Sequence, residues 1–325
     1  MTATDSTGLR PRLARKRAGR RGDLVFRWVA QLSGILILVL IVAIAAFLLD
    51  RAVPAFRHAG LRFFTERGWS PDADHPRFGI EALAFGTVVS SICALVLAVP
   101  VALGSALFLT EVAPPRIGRW TGYLVDLLAA VPSVVYGLWG IYYLVPRLNP
   151  VERWLDQRIG FVALFHSRSA TYGRSLFAAS VVLAIMILPI IAAIAREVFR
   201  QVPSEAREAA LALGATRWET IRISVLPYSR GGIVGAMMLG LGRALGETIA
   251  VALVLASVFK VDLHIFEPGG NTIAANIATK FGEAGASGRE ALIASGLVLF
   301  AITLVVNVVA RGVVYRTGLA AEGRP

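Results

Sequence analysis

Two ionisable residues inside an otherwise apolar stretch are the side chains whose type and spacing could do chemistry. Arg243 and Glu247 lie four residues apart in the run 231–259, so one helix would place both on the same face. An ionisable residue at the centre of a membrane helix costs about 2.5 to 3.5 kcal/mol and needs compensation. One possibility is that the two residues neutralise each other, with Gly242 and Gly246 allowing a partner helix to approach closely. The other is that Arg243 faces an anion path and Glu247 weakens the binding of the anion by Arg243.

A hydroxyl after a proline is the second candidate. Ser133 follows Pro132 inside the apolar run 120–145. Proline can break a helix and free backbone groups, so that the Ser133 hydroxyl and amide join an anion site, or it can only kink the helix and shape a pore. Asp126 in the same run can pair with an arginine of another helix, which the sequence does not identify.

The segment 203–227 predicts two short helices that meet at a bend. Ser204 can cap the start of the first helix, and Gly214 can end it in the left-handed conformation. Thr216 and Glu219 have the spacing of a capping box, which starts a second helix. Such a pair of helices, thin because the first is rich in alanine, can insert into a groove on another protein.

The elements that must hold these residues are membrane helices. The 325 residues are 56% hydrophobic and 17% charged, with a mean hydropathy of +0.67, which is too apolar for a soluble protein of this length. Cys93 is the only cysteine, which excludes an internal disulfide framework and a cysteine zinc site, and the four histidines form no HExxH motif. None of the three lysines follows a Gly-rich loop, so the chain has no Walker A motif for ATP.

Six apolar stretches are long enough to cross about 30 Å of hydrocarbon as helices. The fold class predicted is therefore an all-α membrane protein with six transmembrane helices. The stretches are Trp28 to Leu49, Ala84 to Thr110, Trp120 to Val145, Ser175 to Ala195, Gly231 to Phe259 and Ala291 to Ala310.

The distribution of arginine and lysine predicts the orientation of these spans. Nineteen basic residues fall in the two terminal tails and the second and fourth loops, against 13 in the other three loops. Because basic residues favour the cytoplasmic side, both termini are expected in the cytoplasm. The net charge of +12 is then explained by attraction to anionic lipid, without nucleic acid.

The loop also resembles a known family motif. Glu208-Ala209-Ala210, then Gly214 and the ending Leu226-Pro227 resemble the EAA loop of the inner-membrane permease subunits of ABC importers. The family usually has an aliphatic residue two positions before the leucine, where this chain has Ser224. The segments 130–138 and 242–248 resemble the phosphate-specific permeases, and 271–283, expected as an amphipathic helix on the outer surface, is similar to their PstC type.

The resemblance implies a role for each matching position and a domain organisation. The implied ATPase-coupling residues are Glu205, Glu208, Ala209, Ala210, Gly214, Ala215, Leu226 and Pro227, and the implied substrate path contains Arg243, Glu247, Thr248 and Ser133. The expected organisation is a disordered basic cytoplasmic tail (1–27), a first transmembrane helix (28–49), an extracytoplasmic connection (50–78), a five-helix permease core of type I ABC importers (79–314) and a cytoplasmic tail (315–325).

The resemblance also implies partners. They are a second, PstA-like permease subunit, two PstB-like ATPase subunits that use ATP and Mg, and an external PstS-like phosphate-binding protein, assembled in the bacterial cytoplasmic (inner) membrane. The chain itself is then expected to bind no cofactor or metal and to catalyse no reaction. Alternatives are a permease for sulfate, molybdate or phosphonate, and a phosphate-sensing scaffold. A secondary transporter would show inverted repeats, and a membrane enzyme would need clustered catalytic residues; neither is present.

Overall fold

The computed structural model describes residues 16–169 and 171–322, and most of these are helical. The predicted tails therefore lie outside the described residues at 1–15 and 323–325. The helices are α1 Lys16–Ala59, α2 Arg62–Thr65, α3 Glu81–Leu107, α4 Pro115–Ala129, α5 Ser133–Trp139, α6 Val145–Ile159, α7 Leu176–Arg200, α8 Ser204–Ala212, α9 Arg217–Thr220, α10 Leu226–Gly246, α11 Ile249–Val254, α12 Ile273–Lys280 and α13 Ala286–Glu322, and the strands are β1 Trp69–Ser70 and β2 Arg77–Phe78.

Among the described residues, four helices are long and apolar enough to cross a membrane: Leu24–Ala59, Glu81–Val112, Leu176–Arg200 and Ala286–Gly312. A fifth candidate is a pair of helices, Arg116–Ala129 and Ser133–Ile159, that meet at an angle of 88°. The prediction of a helical chain with several membrane spans is confirmed, and the sixth span stays a prediction.

The run 120–145 is not one helix. Helix α4 ends at Ala129 and α5 begins at Ser133, with Pro132 at the cap position between them. Proline has no N–H to donate to the preceding turn, so the chain breaks here rather than only kinking. The break gives the structural basis of the 88° bend.

The run 231–259 is also interrupted, so the prediction of a single helix there is wrong. Helix α10 ends at Gly246, and Glu247 has an extended backbone with ψ of 130°. Helix α11 covers only Ile249–Val254, and Leu255 is again extended. Apolar composition alone does not report such a break, because every residue from Ile249 to Phe259 is compatible with a membrane helix.

The core of the molecule is built around α7. Its apolar window is 61% buried, whereas the windows of the other three single spans are at most 22% buried, so α7 is the interior helix. Helix α3 packs against it. The face of α3 in this interface is a row of fully buried alanines at four-residue spacing: Ala94, Ala98, Ala102 and Ala106.

The N-terminal part divides near residue 50. Residues up to Asp50 form one compact unit and those from Arg51 onward form the second. Helix α1 already begins at Lys16, so the predicted disorder does not hold for 16–27, a segment with four arginines, which are good helix formers. In the second unit, β1 pairs antiparallel with β2, and Trp69 lies opposite Phe78.

Helix α12, predicted as an amphipathic helix on the outer surface, is buried at its start and exposed at Ala278 and Thr279. Its first four residues, Ile273 to Asn276, are buried. Thr272 caps the helix by accepting a hydrogen bond from the Ala275 amide, and Thr87 of α3 accepts one from the Ile273 amide at 3.0 Å. The helix is therefore inserted beside α3, since its polar cap residues find partners in the core.

Candidate functional site

The break between α10 and α11 holds two of the predicted path residues. Glu247 is only 8% exposed, and its Oε1 accepts a hydrogen bond from the Ala250 amide at 3.3 Å. Thr248 donates its hydroxyl to the Gly246 carbonyl at 3.1 Å. Glu247 therefore satisfies a free amide at the start of α11, which is a local structural role that helical periodicity did not predict.

Arg243 lies in the last turn of α10 and is exposed. Within 16–169 and 171–322 it makes no hydrogen bond or ion pair. The predicted pairing with Glu247 is wrong, because α10 ends between the two residues and they no longer share a helical face. The phenol of Tyr136 in α5 lies near Arg243, and its hydroxyl donates to the Leu128 carbonyl at 2.8 Å across the first break.

The two short helices that follow the breaks pack against each other. A Cβ atom on Gly137 of α5 would lie 2.8 Å from the Ala250 Cα of α11, and one on Gly140 would lie 3.2 Å from the Val254 Cγ2. Gly137 faces Ala250, and the later residue Gly140 faces the later residue Val254. Helices α5 and α11 therefore run in the same direction. Glycine at these two positions is what allows the close approach.

The parallel packing brings the two breaks to one side of the molecule. Ser133 is the first residue of α5 and is partly buried, and Thr248 immediately precedes α11. Arg243 lies five residues before Thr248 and near Tyr136, which is one turn after Ser133. The predicted path residues, taken from distant parts of the sequence, therefore belong to one region.

The helical bend predicted in 203–227 is confirmed. Helix α8 is followed by Gly214 with a φ of +84°, a left-handed conformation that favours glycine. Thr216 Oγ1 accepts from the Glu219 amide at 3.3 Å, and Glu219 Oε2 accepts from the Thr216 amide at 2.7 Å, which completes the capping box at the start of α9. These hydrogen bonds from Thr216 lower the pKa of the Glu219 carboxyl below its ordinary value.

Two details of that loop differ from the prediction. Pro203, not Ser204, occupies the cap position of α8, and no side chain caps this helix. The second helix does not end at Pro227, because α9 leads through a π-helical turn, Ile221–Val225, directly into α10. The wider turn shifts the hydrogen-bond register just before Pro227, which lies in the first turn of α10 where its missing N–H costs little.

Not every residue of the predicted coupling set is available at the surface. Glu205, Glu208 and Ala209 are exposed, whereas Ala210 is only 6% exposed and packs inward. Sequence reasoning missed three large apolar side chains beside the bend that are exposed by half or more: Leu211, Leu213 and Trp218. Large apolar side chains in a loop outside the membrane indicate a contact surface, and this was the available signal in the sequence.

Arg207 is a further residue that sequence reasoning missed. Its Nη1 donates to the Val202 carbonyl at 2.8 Å, and its Nη2 donates to the Phe199 carbonyl at 2.7 Å and to Glu111 Oε1 at 3.0 Å. The guanidinium thus ties α8 to the end of α7 and to the π-helical turn Phe108–Val112 after α3. Glu111, the only acid in the second predicted loop, was the available signal.

The partner of Asp126 is Arg196 of α7. Arg196 Nη2 donates to both carboxylate oxygens, at 2.8 and 3.0 Å. The ion pair joins α4 to α7 and is the pairing that the sequence allowed without naming. As for metals, no group of three His, Cys, Asp or Glu side chains in the described part of the chain could hold an ion.

Several membrane-length helices, two interrupted helical runs whose following helices pack together, and an exposed two-helix loop define a multi-pass membrane protein. Residues 98–317 match the model of the binding-protein-dependent transport system inner membrane component, and the chain belongs to this family.

Two curated proteins similar to the chain share one name and match it over most of their length. It is 48% identical to the phosphate transport system permease protein PstC 2 of Mycobacterium tuberculosis over 303 residues, 91% of this chain and 93% of that protein. It is 40% identical to the phosphate transport system permease protein PstC of Xylella fastidiosa (strain 9a5c), over 90% of each chain. The inward-facing MetNI methionine ABC transporter has a similar fold, with a TM-score of 0.52 at 16% identity, over 73% of this chain and 95% of that one.

Proposed function

We propose that this chain is the PstC-type membrane subunit of an ATP-driven importer that carries inorganic phosphate inward. The names of its relatives, phosphate transport system permeases at 40 to 48% identity, support phosphate over sulfate, molybdate or phosphonate. The observation that carries the proposal is the exposed guanidinium of Arg243, without an ion pair among the described residues, beside two helix breaks.

In this proposal Arg243 binds the anion, and the neighbouring polar groups shape the path. A guanidinium can donate two parallel hydrogen bonds to a phosphate, which suits binding without covalent chemistry. Ser133 and Thr248 offer hydroxyls at the two breaks. Glu247 holds the start of α11 by accepting a hydrogen bond from the Ala250 amide.

The driving force comes from separate ATPase subunits, which bind ATP and Mg. Helices α8 and α9 dock on one of them through the exposed residues around Gly214, and a second permease subunit and an external binding protein complete the importer. The chain then crosses the bacterial inner membrane six times, with α10 as the additional span and both termini in the cytoplasm. The permease core covers 79–314.

The test is the substitution Arg243→Gln in the reconstituted importer. We expect phosphate uptake to fall at least tenfold, because a hydrogen bond to a charged group contributes about 1.5 to 3 kcal/mol. Uptake of labelled phosphate into liposomes and ATP hydrolysis are measured, with sulfate and molybdate as control substrates. Copurification of all subunits shows that the complex is intact.

Arg230→Gln, an exposed arginine at the other end of α10, is the matched control and is expected to transport normally. Normal uptake by Arg243→Gln would remove this residue from the path. Transport of another oxyanion in place of phosphate would keep the importer and refute the substrate.

A further inference from the structure

A cavity of about 500 Å³ lies between α4, the end of α7 and the π-helical turn after α3. It is separate from the breaks that hold Arg243. Its polar lining consists mainly of three arginines with one carboxylate and one phenol: Arg119, Arg196, Arg200, Asp126 and Tyr123.

Arg196 lines this cavity and keeps two donors without a partner in the described chain. It is 8% exposed, and its Nη2 binds Asp126, but its buried Nε and Nη1 have no hydrogen-bond partner within the described chain. A buried donor without a partner costs about 1 to 3 kcal/mol, and more when it is charged. Gly122 leaves the space for this guanidinium, because a Cβ atom there would collide with Nη1.

The other two arginines make the lining strongly basic. Arg119 is exposed and forms no ion pair with any described residue. Arg200 has only a long contact of 3.9 Å with Glu197, and both side chains are more than half exposed. Asp126 offsets one of the three positive charges, so an anion entering the cavity would meet an excess of guanidinium donors. Planar donors of this kind suit the oxygens of a phosphate group.

The surroundings indicate where that phosphate group comes from. Trp120 and Tyr123 on α4 are 72% and 57% exposed and lie beside the cavity, and such aromatic residues favour the headgroup level of a membrane. Leu124 and Leu127, further along α4, are also more than half exposed, as expected of a helix face in contact with lipid tails. The cavity therefore opens where a lipid headgroup would lie.

We propose that the cavity lined by Arg119, Arg196 and Arg200 binds the phosphate of an anionic phospholipid headgroup. Arg119 and Arg200 bind the lipid phosphate at the rim, and Arg196, held by Asp126, adds its positive charge beneath them. Basic pockets between membrane helices bind such headgroups in this way. The site does not depend on which substrate the chain transports.

Native mass spectrometry of the full-length chain in a zwitterionic detergent tests the site. Phosphatidylglycerol and phosphatidylcholine are added in turn, and retained lipids are counted for the natural sequence and for Arg119→Gln, Arg200→Gln and Arg230→Gln. The first two variants change exposed residues and leave the Arg196–Asp126 pair in place, so we expect them to fold. Arg230→Gln removes one arginine outside the cavity and is the matched control.

We expect selective retention of phosphatidylglycerol, weakened about fivefold by Arg119→Gln and by Arg200→Gln, which corresponds to ~1 kcal/mol for each basic side chain near an anionic headgroup. Arg230→Gln should retain the lipid. Equal retention of both lipids, or equal loss in all three variants, would overturn the proposal. In a second arm, inorganic phosphate is titrated: saturable binding that both cavity variants weaken, without lipid selectivity, would overturn the lipid source and assign the cavity to the free anion.

Discussion

Charged side chains in the interior are matched by partners from other helices or by the backbone. Arg207 binds two carbonyls and Glu111, Arg196 binds Asp126, and Glu247 binds an amide of α11. Each contact fixes the end of a helix rather than its middle. Arg243 is the contrast, since its charge is exposed and unpaired among the described residues, which is why it is the residue proposed to bind substrate.

Removal of Arg207 should loosen α8. In Arg207→Gln, the Phe199 and Val202 carbonyls lose their donor and Glu111 keeps an uncompensated charge, so we expect faster hydrogen exchange in 203–213. ATP hydrolysis should become less dependent on phosphate, because α8 no longer transmits its position to α7. Exchange is measured by mass spectrometry in the assembled importer.

Arg217→Gln, an exposed arginine of the same loop, serves as the comparison and should exchange as the natural sequence does. Unchanged protection of 203–213 in Arg207→Gln would show that the contacts to α7 do not hold α8.

Local contacts between single residues were predictable, and distant ones were not. Thr216 and Glu219 are three positions apart, so their capping box could be predicted from type and spacing. Arg196 and Asp126 are 70 positions apart, and the packing of α4 on α7 alone decides that they meet. The sequence favoured a partner for Asp126, because a charge in an apolar run is costly, but it offered no means of choosing among 30 arginines.

Helices and their interruptions form the next scale. Hydrophobicity predicted where apolar helices lie, and it missed the break at Glu247 and Thr248 because no proline interrupts that run. Pro132, by contrast, was a visible signal of the first break. Helix packing at the breaks depends on glycines whose role appears only once α5 and α11 are placed together.

Gly137→Ala tests that packing. The added Cβ would lie 2.8 Å from the Ala250 Cα, and backbone cannot yield as a flexible side chain can, so α5 and α11 must move apart. We expect phosphate uptake to fall several-fold because Ser133 and Thr248 separate. Uptake and binding of phosphate are measured in the reconstituted importer.

Gly242→Ala adds the same methyl group where no atom lies within 4 Å and should transport normally. Full activity of Gly137→Ala would mean that the close approach of the two helices has no part in transport.

Gly214 is required at the bend by its backbone conformation and not by a lack of room for a side chain. No atom of the described residues lies within 4 Å of a Cβ built there, so only the φ of +84° penalises a side chain. A β-branched residue is strongly disfavoured in this conformation, whereas asparagine tolerates it. Gly214→Val should therefore release the ATPase subunit from membranes, and Gly214→Asn should retain it.

Cosedimentation of the ATPase with membranes measures this difference. Release by both variants, or by neither, would contradict a role for the left-handed conformation.

The whole molecule has two ends that the proposed orientation assigns to opposite sides of the membrane. Ser204 on α8 and Ser70 in the β-hairpin are both exposed, and Cys93 is the only cysteine to remove. In a Cys93→Ala background, Ser204→Cys should react with a membrane-impermeant thiol reagent only after the cells are opened. Ser70→Cys should react in intact spheroplasts. Labelling of both positions from the same side would refute the topology.

The alanine row of α3 carries a mechanical consequence for the whole chain. Alanine has no χ angle, so Ala94, Ala98, Ala102 and Ala106 have no alternative rotamers with which to repack against α7. We therefore expect α3 and α7 to keep their packing and to move as one rigid unit. Any swing between inward-open and outward-open forms is then expected to bend the chain at 130–132 and 247–248, which act as joints on either side of that unit.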